Sequence, residues 1–422
     1  MTRCLKHVQQ LLPALLTTRA ASRTICHRHQ MSLGPDPRSL CERYTDETYA
    51  RMRDDHARTC AYEQAIKVVA PGRVCLDIGT GALGLLAVMA ARAGAAHVYA
   101  IEANAQAYAA AVQTVADLQL SDRVTVIHGY STDVQLPCRV DLLLHEIFGE
   151  IAGAEGVVVA VRDAAKRHLA TTTRVLSSAT ATAATDEFAG DSVSAAESET
   201  VASAIVSIPV RARTLLAPAE FPGADYFASL PFPMLAAPGA TVLKLPSLPR
   251  DVLLAAPQTF EDLRFDVAAP EGVHDVSLEF VLERPGALRG LALHVEVFMT
   301  EADASAPDVS SAQPGSHWPN VFMLLSEELQ VEAGKRVVVR ASARLETDQP
   351  LYTFEVEVCG KPVGTLMHYP DNLVPGDSRG GAQDQGRRVR TGRVERAAER
   401  AARLALARRP NPVVCNRKLN GD

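Results

Sequence analysis

The chain has 422 residues, room for two globular units, and 47% of them are hydrophobic. No uninterrupted apolar run reaches the ~18 residues of a membrane-spanning helix, and the eight cysteines lack the spacing of a disulfide framework or a metal site. The net charge of −6 conceals a division: residues 1–35 carry +5 and residues 387–422 carry +8, so the body between them carries −19. A field of that sign repels nucleic acid and draws cationic partners.

The first 30 residues are basic, free of acids and mildly amphipathic around Leu5–Leu16. Their composition is that of a mitochondrial transit peptide; an unstructured extension, or translation from Met31, fits them too. Apolar residues recur at helical spacing from Tyr49 to Ile66. Strand Val74–Ile78, a glycine turn and helix Leu85–Ala93 follow. Strand Val98–Ile101, helix Ala105–Leu118 and strands Val124–Ile127 and Val140–Leu144 continue the alternation. Such alternation predicts an α/β, doubly wound, Rossmann-like parallel sheet. After about residue 175 short alternating runs take over, at Thr200–Arg211, Val276–Leu282, Leu291–Met299, Val321–Leu325, Arg336–Leu345 and Leu351–Cys359. Pro/Gly turns separate them, which reads as antiparallel β. The expected organisation is a basic extension (1–35), an α/β domain with N-terminal helices (36–175), an antiparallel β domain (176–370) and a basic tail (371–422). Pro231–Pro246 reads as an inserted arm or linker, and the Gly/Asp/Gln-rich residues 370–386 as a mobile segment.

The turn after Val74–Ile78 holds Gly79, Gly81 and Gly84, a G-x-G-x-x-G opening a helix, and Glu102 ends the next strand. By itself that is a dinucleotide fingerprint. Asp77 argues otherwise. A carboxylate two residues before the first glycine repels a pyrophosphate at that helix N-terminus. It favours S-adenosyl-L-methionine, which carries an ammonium and a sulfonium and no phosphate. Glu102 is placed to accept hydrogen bonds from both ribose hydroxyls.

The fourth strand leads into Glu146, and Glu150 and Glu155 follow among Ile, Phe and Ala. Three carboxylates in apolar company are costly unless a cation neutralises them. An arginine side chain suits two of them, because its planar guanidinium offers a fork of donors. Carboxylates on two nitrogens also localise charge away from the third, leaving it a lone pair for attack. A solvated acidic turn is the competing reading from charge alone.

At this point the sequence resembles the protein arginine N-methyltransferases over Tyr44 to Cys359. Glu146 and Glu155 keep the nine-residue interval of that family's paired-glutamate loop. Met52, Asp55 and Arg58 match its Met-x-x-Asp-x-x-Arg helix, and Ser316-His317-Trp318 resembles its Thr-His-Trp loop. Ser131-Thr132-Asp133-Val134, Tyr49-Ala-Arg-Met-Arg-Asp-Asp and Gly156 resemble the type III, monomethylating members in a single-module form. The resemblance implies a β-barrel as the second domain, with a dimerisation arm. It implies that Glu146 and Glu155 hold the substrate guanidinium and that His317 pairs with Asp55. Arg58, Met52, Asp77, Gly79, Gly81, Glu102, Ser131 and Thr132 would bind S-adenosyl-L-methionine, leaving S-adenosyl-L-homocysteine. Trp318 and Glu150 would line the substrate pocket, with no metal. The glycine turn is one residue longer than the family's, and Leu-Arg-Gly at 288–290 replaces its His-Gly.

Expected substrates are Arg/Gly-rich segments, such as those of histones or RNA-binding proteins, met by a homodimer with no membrane and no direct nucleic-acid contact by the core. Arg379-Gly380-Gly381 and Arg393 suggest automethylation. The expected location is cytoplasmic, with a nuclear pool compatible and a mitochondrial alternative left by the basic extension. A small-molecule methyltransferase, a silent partner subunit and a dinucleotide oxidoreductase are the rival classes.

Overall fold

The computed structural model describes residues 46–170, 172–176, 200–230, 241–347 and 350–368. The basic extension, the basic tail with Arg379 and Arg393, and residues 231–240 of the proline-rich stretch lie outside the described residues.

Two helices come first, α1 (Asp46–Asp54) and α2 (His56–Val69). The helical spacing from Tyr49 to Ile66 is interrupted at Asp55, whose carboxylate accepts from the Arg58 amide at 3.1 Å and caps α2. Aspartate suits that position because its oxygen serves an amide for which the helix has no carbonyl. Then come β1 (Val74–Ile78), α3 (Leu85–Arg92), β2 (His97–Glu102), α4 (Ala105–Asp117), β3 (Val124–His128), β4 (Leu142–His145) and α5 (Val157–Arg167). Helix α5 was not expected, since consecutive valines favour strands. Val157, Val158, Val161 and Ala164 are all buried, and that packing outweighs propensity.

A hairpin of β5 (Thr172–Leu176) and β6 (Thr200–Ala204) follows, then the short β7 (Ser207–Ile208). The parallel sheet runs β3-β2-β1-β4-β7. Strand order reverses between β1 and β4, so a crevice opens at the carboxyl ends of these strands.

The remaining elements are β8 (Arg211–Ala219), α6 (Ala224–Ser229), β9 (Val242–Leu245), β10 (Gln258–Arg264), β11 (Val273–Val281), β12 (Gly286–Phe298), β13 (Val309–Ser310), β14 (Asn320–Val331), β15 (Arg336–Arg344), β16 (Leu351–Val358) and β17 (Lys361–His368). Thr200–Arg211, expected as one run, divides among β6, β7 and the start of β8. Strand β9 falls in the stretch expected as an arm. Pairing gives one antiparallel sheet in the order β10-β8-β12-β14-β9, with β13 on β12, and a second in the order β11-β15-β16-β17. Strand pairing does not close them into one ring among the described residues, although β10 lies beside β11 and β14 beside β17. Phe260, Tyr352 and Phe354 pack edge to face in the core between them.

The glycine turn has Gly79, Gly81 and Gly84 at φ of +72°, +68° and +54°, and Gly84 caps α3 in the left-handed region. Asp77 lies wholly buried under this turn, accepting from Thr80 Oγ1 at 2.5 Å, and its Oδ1 has no hydrogen-bond partner. Burial pushes its pKa up to about 7.

The β12–β14 register slips between Leu288 and Gly290, and a Cβ at 290 would stand 2.1 Å from the Met323 carbonyl oxygen. Gly290→Ala is expected to lower stability to urea by about 1–3 kcal/mol, as overpacking does; unchanged stability would contradict the close approach. For Asp77, the folded chain holds its proton up to about pH 7, whereas the unfolded chain releases it near pH 4. The stability it contributes is therefore complete below about pH 4 and is lost as pH rises through about 7. Asp77→Asn should flatten that part of the pH profile of urea unfolding, and parallel profiles would refute the assignment.

Candidate active site

A cleft of about 500 Å³ lies at the carboxyl ends of β1, β2 and β4. Gly79, Thr80, Gly81, Glu102, Ser131, Thr132 and Met52 line one part of it. Glu102 is 5% exposed and accepts from the Gly81 and Asn104 amides, each at 2.8 Å, so one carboxylate fixes the turn and borders the cleft together. Burial raises its pKa. A Cβ on Gly81 would come within 2.8 Å of the Tyr49 ring. Asp77 is not among the lining residues. The expected direct meeting of its carboxylate with the cofactor's cations is corrected: its place is beneath the turn, and Thr80 lies between. Ser131 and Thr132 are held by Arg167 of α5, which donates to the carbonyls of Ser131 at 2.8 Å and Val134 at 2.6 Å.

Glu146 leaves β4 into the other part of the cleft. Its Oε2 lies 2.8 Å from Arg58 Nη2, and both side chains are under one-tenth exposed. Its Oε1 accepts from Trp318 Nε1 at 3.0 Å. His317 Nε2 stands 3.6 Å from the same oxygen, too far for a hydrogen bond but close enough for charge attraction. Asp55, besides capping α2, accepts from both the His317 amide and His317 Nδ1 at 2.9 Å. An ionised carboxylate only accepts, so Nδ1 carries the proton. The helix aspartate and the loop histidine, 262 residues apart in sequence, do meet.

The electrostatics are reciprocal. Burial opposes ionisation of Glu146, but Arg58 and His317 outweigh it and hold its carboxyl below the ordinary range. Asp55 is held down likewise by His317 and the Arg58 amide, against its burial. Burial pushes His317 down, yet Asp55 and Glu146 prevail and raise it. The cluster therefore keeps two carboxylates charged in an apolar wall. Arg58 also donates from Nη1 to the Met52 carbonyl at 3.3 Å, while its Nε is buried without a partner.

The three loop acids part company. Glu155 is exposed and lines the cleft. Glu150 is buried, with Lys244 Nζ at 2.9 Å and His368 Nε2 at 3.3 Å from its Oε1. Burial works against its charge, but His368 and Lys244 bring its pKa down to about 2. Beyond Glu150 the loop is pinned by the antiparallel half. The Ala152 amide donates to Thr214 Oγ1 at 2.9 Å, and the Gly153 amide to Glu261 Oε2 at 3.3 Å. Thr214 and Tyr352 donate to Glu261 at 2.8 and 3.0 Å. Tyr62 Oη holds the other end of the loop through the His145 carbonyl at 3.0 Å.

Glu261, Thr214, Tyr352, Lys244, His368 and Arg167 were missed in the sequence. Glu261 and Asp262 are adjacent acids in an alternating run, and only the pairing of β10 with β8 shows which turns inward. Among the described residues no cluster of three or more His, Cys, Asp or Glu has the arrangement to hold a metal ion. No described helix is long and apolar enough to cross a membrane.

Residues 56–181 match the family model of ribosomal protein L11 methyltransferase (PrmA). A probable histone-arginine methyltransferase 1.4 of Arabidopsis thaliana is 25% identical over 340 residues, 78% of this chain and 58% of that protein. Protein arginine N-methyltransferase 1 of Schizosaccharomyces pombe is 36% identical over 126 residues, 29% of this chain and 36% of that protein. The chain thus spans well under two thirds of these relatives' lengths. Among solved structures, protein arginine methyltransferase 10 of Arabidopsis thaliana superposes with a TM-score of 0.58 at 19% identity, covering 79% of this chain and all of that one. The Trypanosoma brucei PRMT1 enzyme–prozyme heterotetrameric complex with AdoHcy gives 0.53 at 15% identity, covering 76% of this chain and 96% of that one. Those two likenesses establish the fold: a Rossmann-like methyltransferase sheet followed by antiparallel sheets. The two sequence relatives are named as protein arginine methyltransferases.

Proposed function

We propose that the chain transfers a methyl group from S-adenosyl-L-methionine to a guanidino nitrogen of arginine in proteins, forming ω-N-monomethylarginine. The observation that carries this reading is Glu146, a buried and ionised carboxylate at the cleft wall, gripped from both halves of the chain by Arg58 and Trp318. An acid kept charged in that setting is poised to bind a cation, and a guanidinium matches it in shape.

The other part of the cleft fits the methyl donor. Glu102 ends β2 with its carboxylate at the cleft, suited to a ribose diol, and the glycine turn lets a ligand approach the backbone closely. Glu102, whose carboxylate borders the cleft, disfavours a pyrophosphate there. Arg58, with a buried Nε lacking a partner, is the candidate for a carboxylate of the ligand. The donor supplies an electrophilic methyl on sulfur; the chain's own residues align and polarise. Glu146 and Glu155 hold the substrate guanidinium and draw its charge toward them, so the third nitrogen attacks along the carbon–sulfur axis. The His317–Asp55 pair fixes the Trp318 loop against Glu146. Methylated arginine remains a strong base, so a strongly perturbed base is not required.

Monomethylation, a homodimer and a cytoplasmic location belong to the same proposal. They rest on the resemblance of Ser131–Val134 and the Glu150–Gly156 segment to monomethylating relatives, and on composition. Arg/Gly-rich tails, of histones or RNA-binding proteins, are the substrates that a −19 body attracts. The names of the Arabidopsis relative and of the AdoHcy-containing complex support substrate and donor.

The test is incubation of the full chain with labelled S-adenosyl-L-methionine and an Arg/Gly-rich peptide, with products resolved into mono- and dimethylarginine. Monomethylarginine alone is expected. Glu155→Gln should lower kcat about 100-fold or more while S-adenosyl-L-homocysteine still binds, the scale of losing one well-placed charged group in a transition state. Glu146→Gln should do the same and also destabilise the fold by about 3–5 kcal/mol, because Arg58 is left a buried, unpaired charge. Activity surviving in the folded Glu155→Gln protein would end the paired-glutamate assignment.

A further inference from the structure

We propose that Lys244 reads the charge of the residue beside the target arginine, accepting an acidic neighbour and disfavouring a second cation. The inference rests on the arginine methyltransferase reading above and names a selectivity of that same cleft.

Lys244 and Glu150 form an ion pair that is polarised across the cleft wall. The carboxylate side chain is 7% exposed and the ammonium side chain 54%. His368, itself 2% exposed, stands behind the same carboxylate oxygen. The negative end is sealed under the surface, and the positive end faces the cleft that both residues line. The backbone settles where this charge stands. Lys244 pairs with Val321 and Leu245 with Asn320, so β9 carries the ammonium beside the start of β14, next to the Trp318 segment that touches Glu146. A target side chain that reaches Glu146 brings its neighbours in the substrate past this wall.

Two scales of electrostatics then separate. The acidic body acts over a Debye length, about 8–10 Å in ordinary buffers, and gathers cationic segments. Lys244 acts at contact and sorts them. Lysine suits sorting by sign: its ammonium is a compact, mobile charge without the fixed fork by which arginine selects a geometry. Glu150 neutralises the pair as a whole, so the cleft gains selectivity without losing its acidic character. At contact distance in a water-like medium one charge alters affinity about fivefold in either direction, and high salt removes the effect.

The experiment uses the full chain, labelled S-adenosyl-L-methionine and two Arg/Gly peptides that differ only in one residue next to the target arginine, Asp in one and Lys in the other. The readout is the ratio of kcat/KM for the two peptides within each protein, which cancels differences in the amount of folded enzyme. The Asp-to-Lys ratio is expected to fall about 25-fold, about fivefold from each peptide, from wild type to Lys244→Met and further in Lys244→Glu, through KM and not kcat, and to converge across the proteins at 0.5 M salt, on the order expected for a contact charge. The same ratio in all three proteins overturns the inference while leaving the proposed function standing. A wild-type chain that binds S-adenosyl-L-homocysteine and methylates neither peptide overturns the proposed function, and this inference with it.

Discussion

The arrangement of the whole cleft depends on how one carboxylate, Glu146, stays ionised where water scarcely reaches. A charge moved into an apolar wall is unfavourable by several kcal/mol unless partners surround it. Here they come from two distant parts of the sequence: Arg58 from the helix before the parallel sheet, Trp318 and His317 from the loop before β14. Asp55 extends the cluster by orienting His317, and the same aspartate ends one helix and begins another. The sharp interruption between α1 and α2 is therefore a requirement of the site as much as of the helix. Moving the cap would move Arg58 and the seat of His317 together.

That dependence makes the two halves of the chain a single functional unit. The parallel sheet ends at Glu146 but does not shape the loop beyond it. Residues 152 and 153 hang on Thr214 and Glu261, whose own position requires Tyr352 on the opposite sheet. Gly153 is tight enough there that a Cβ would lie 2.7 Å from Glu261 and 2.9 Å from Tyr352 Oη. Burial raises the pKa of Glu261 against the pull of those donors, whereas Arg58 and His317 hold that of Glu146 down. One acid is built to hold charge toward the cleft, the other to hold backbone in place.

How far this could be read in the sequence follows from whether a feature is local. Strand Val74–Ile78 is an apolar run closed by glycines, and the structure begins and ends it at the same residues. The meeting of His317 with Asp55 was legible only through resemblance, since nothing near either residue names the other. Helix α5 was not legible, because Val157–Val159 favours a strand until the burial of its inner face is known. Lys244 fell within a proline-rich stretch that looked like an arm, and its partner Glu150 lies 94 positions earlier, reached only through the pairing of β9 with β14. Asp77 argues for a methyl donor by its place before the glycines, but nothing in the sequence shows that it lies buried beneath the turn. A strand pattern tells which residues are buried together, and it does not tell that Thr80 would cover the carboxylate.

The internal cations also set the character of binding. Glu146 and Glu150 each have a cation from the chain itself, so the acidic loop folds without any ligand to neutralise it. A guanidinium arriving at this loop exchanges with existing partners and does not fill an empty charge. The free energy of such an exchange is a difference between two similar interactions, so it is small compared with either. Shallow ground-state binding is an advantage for the methyl transfer proposed above. Interactions that hold substrate and transition state equally do not accelerate the chemical step, whereas those completed only when nitrogen, methyl and sulfur align do. On the function proposed above, a cleft whose acids are already satisfied spends little on holding arginine, and it leaves catalysis to the geometry reached once the guanidinium has taken its place between Glu146 and the exposed Glu155.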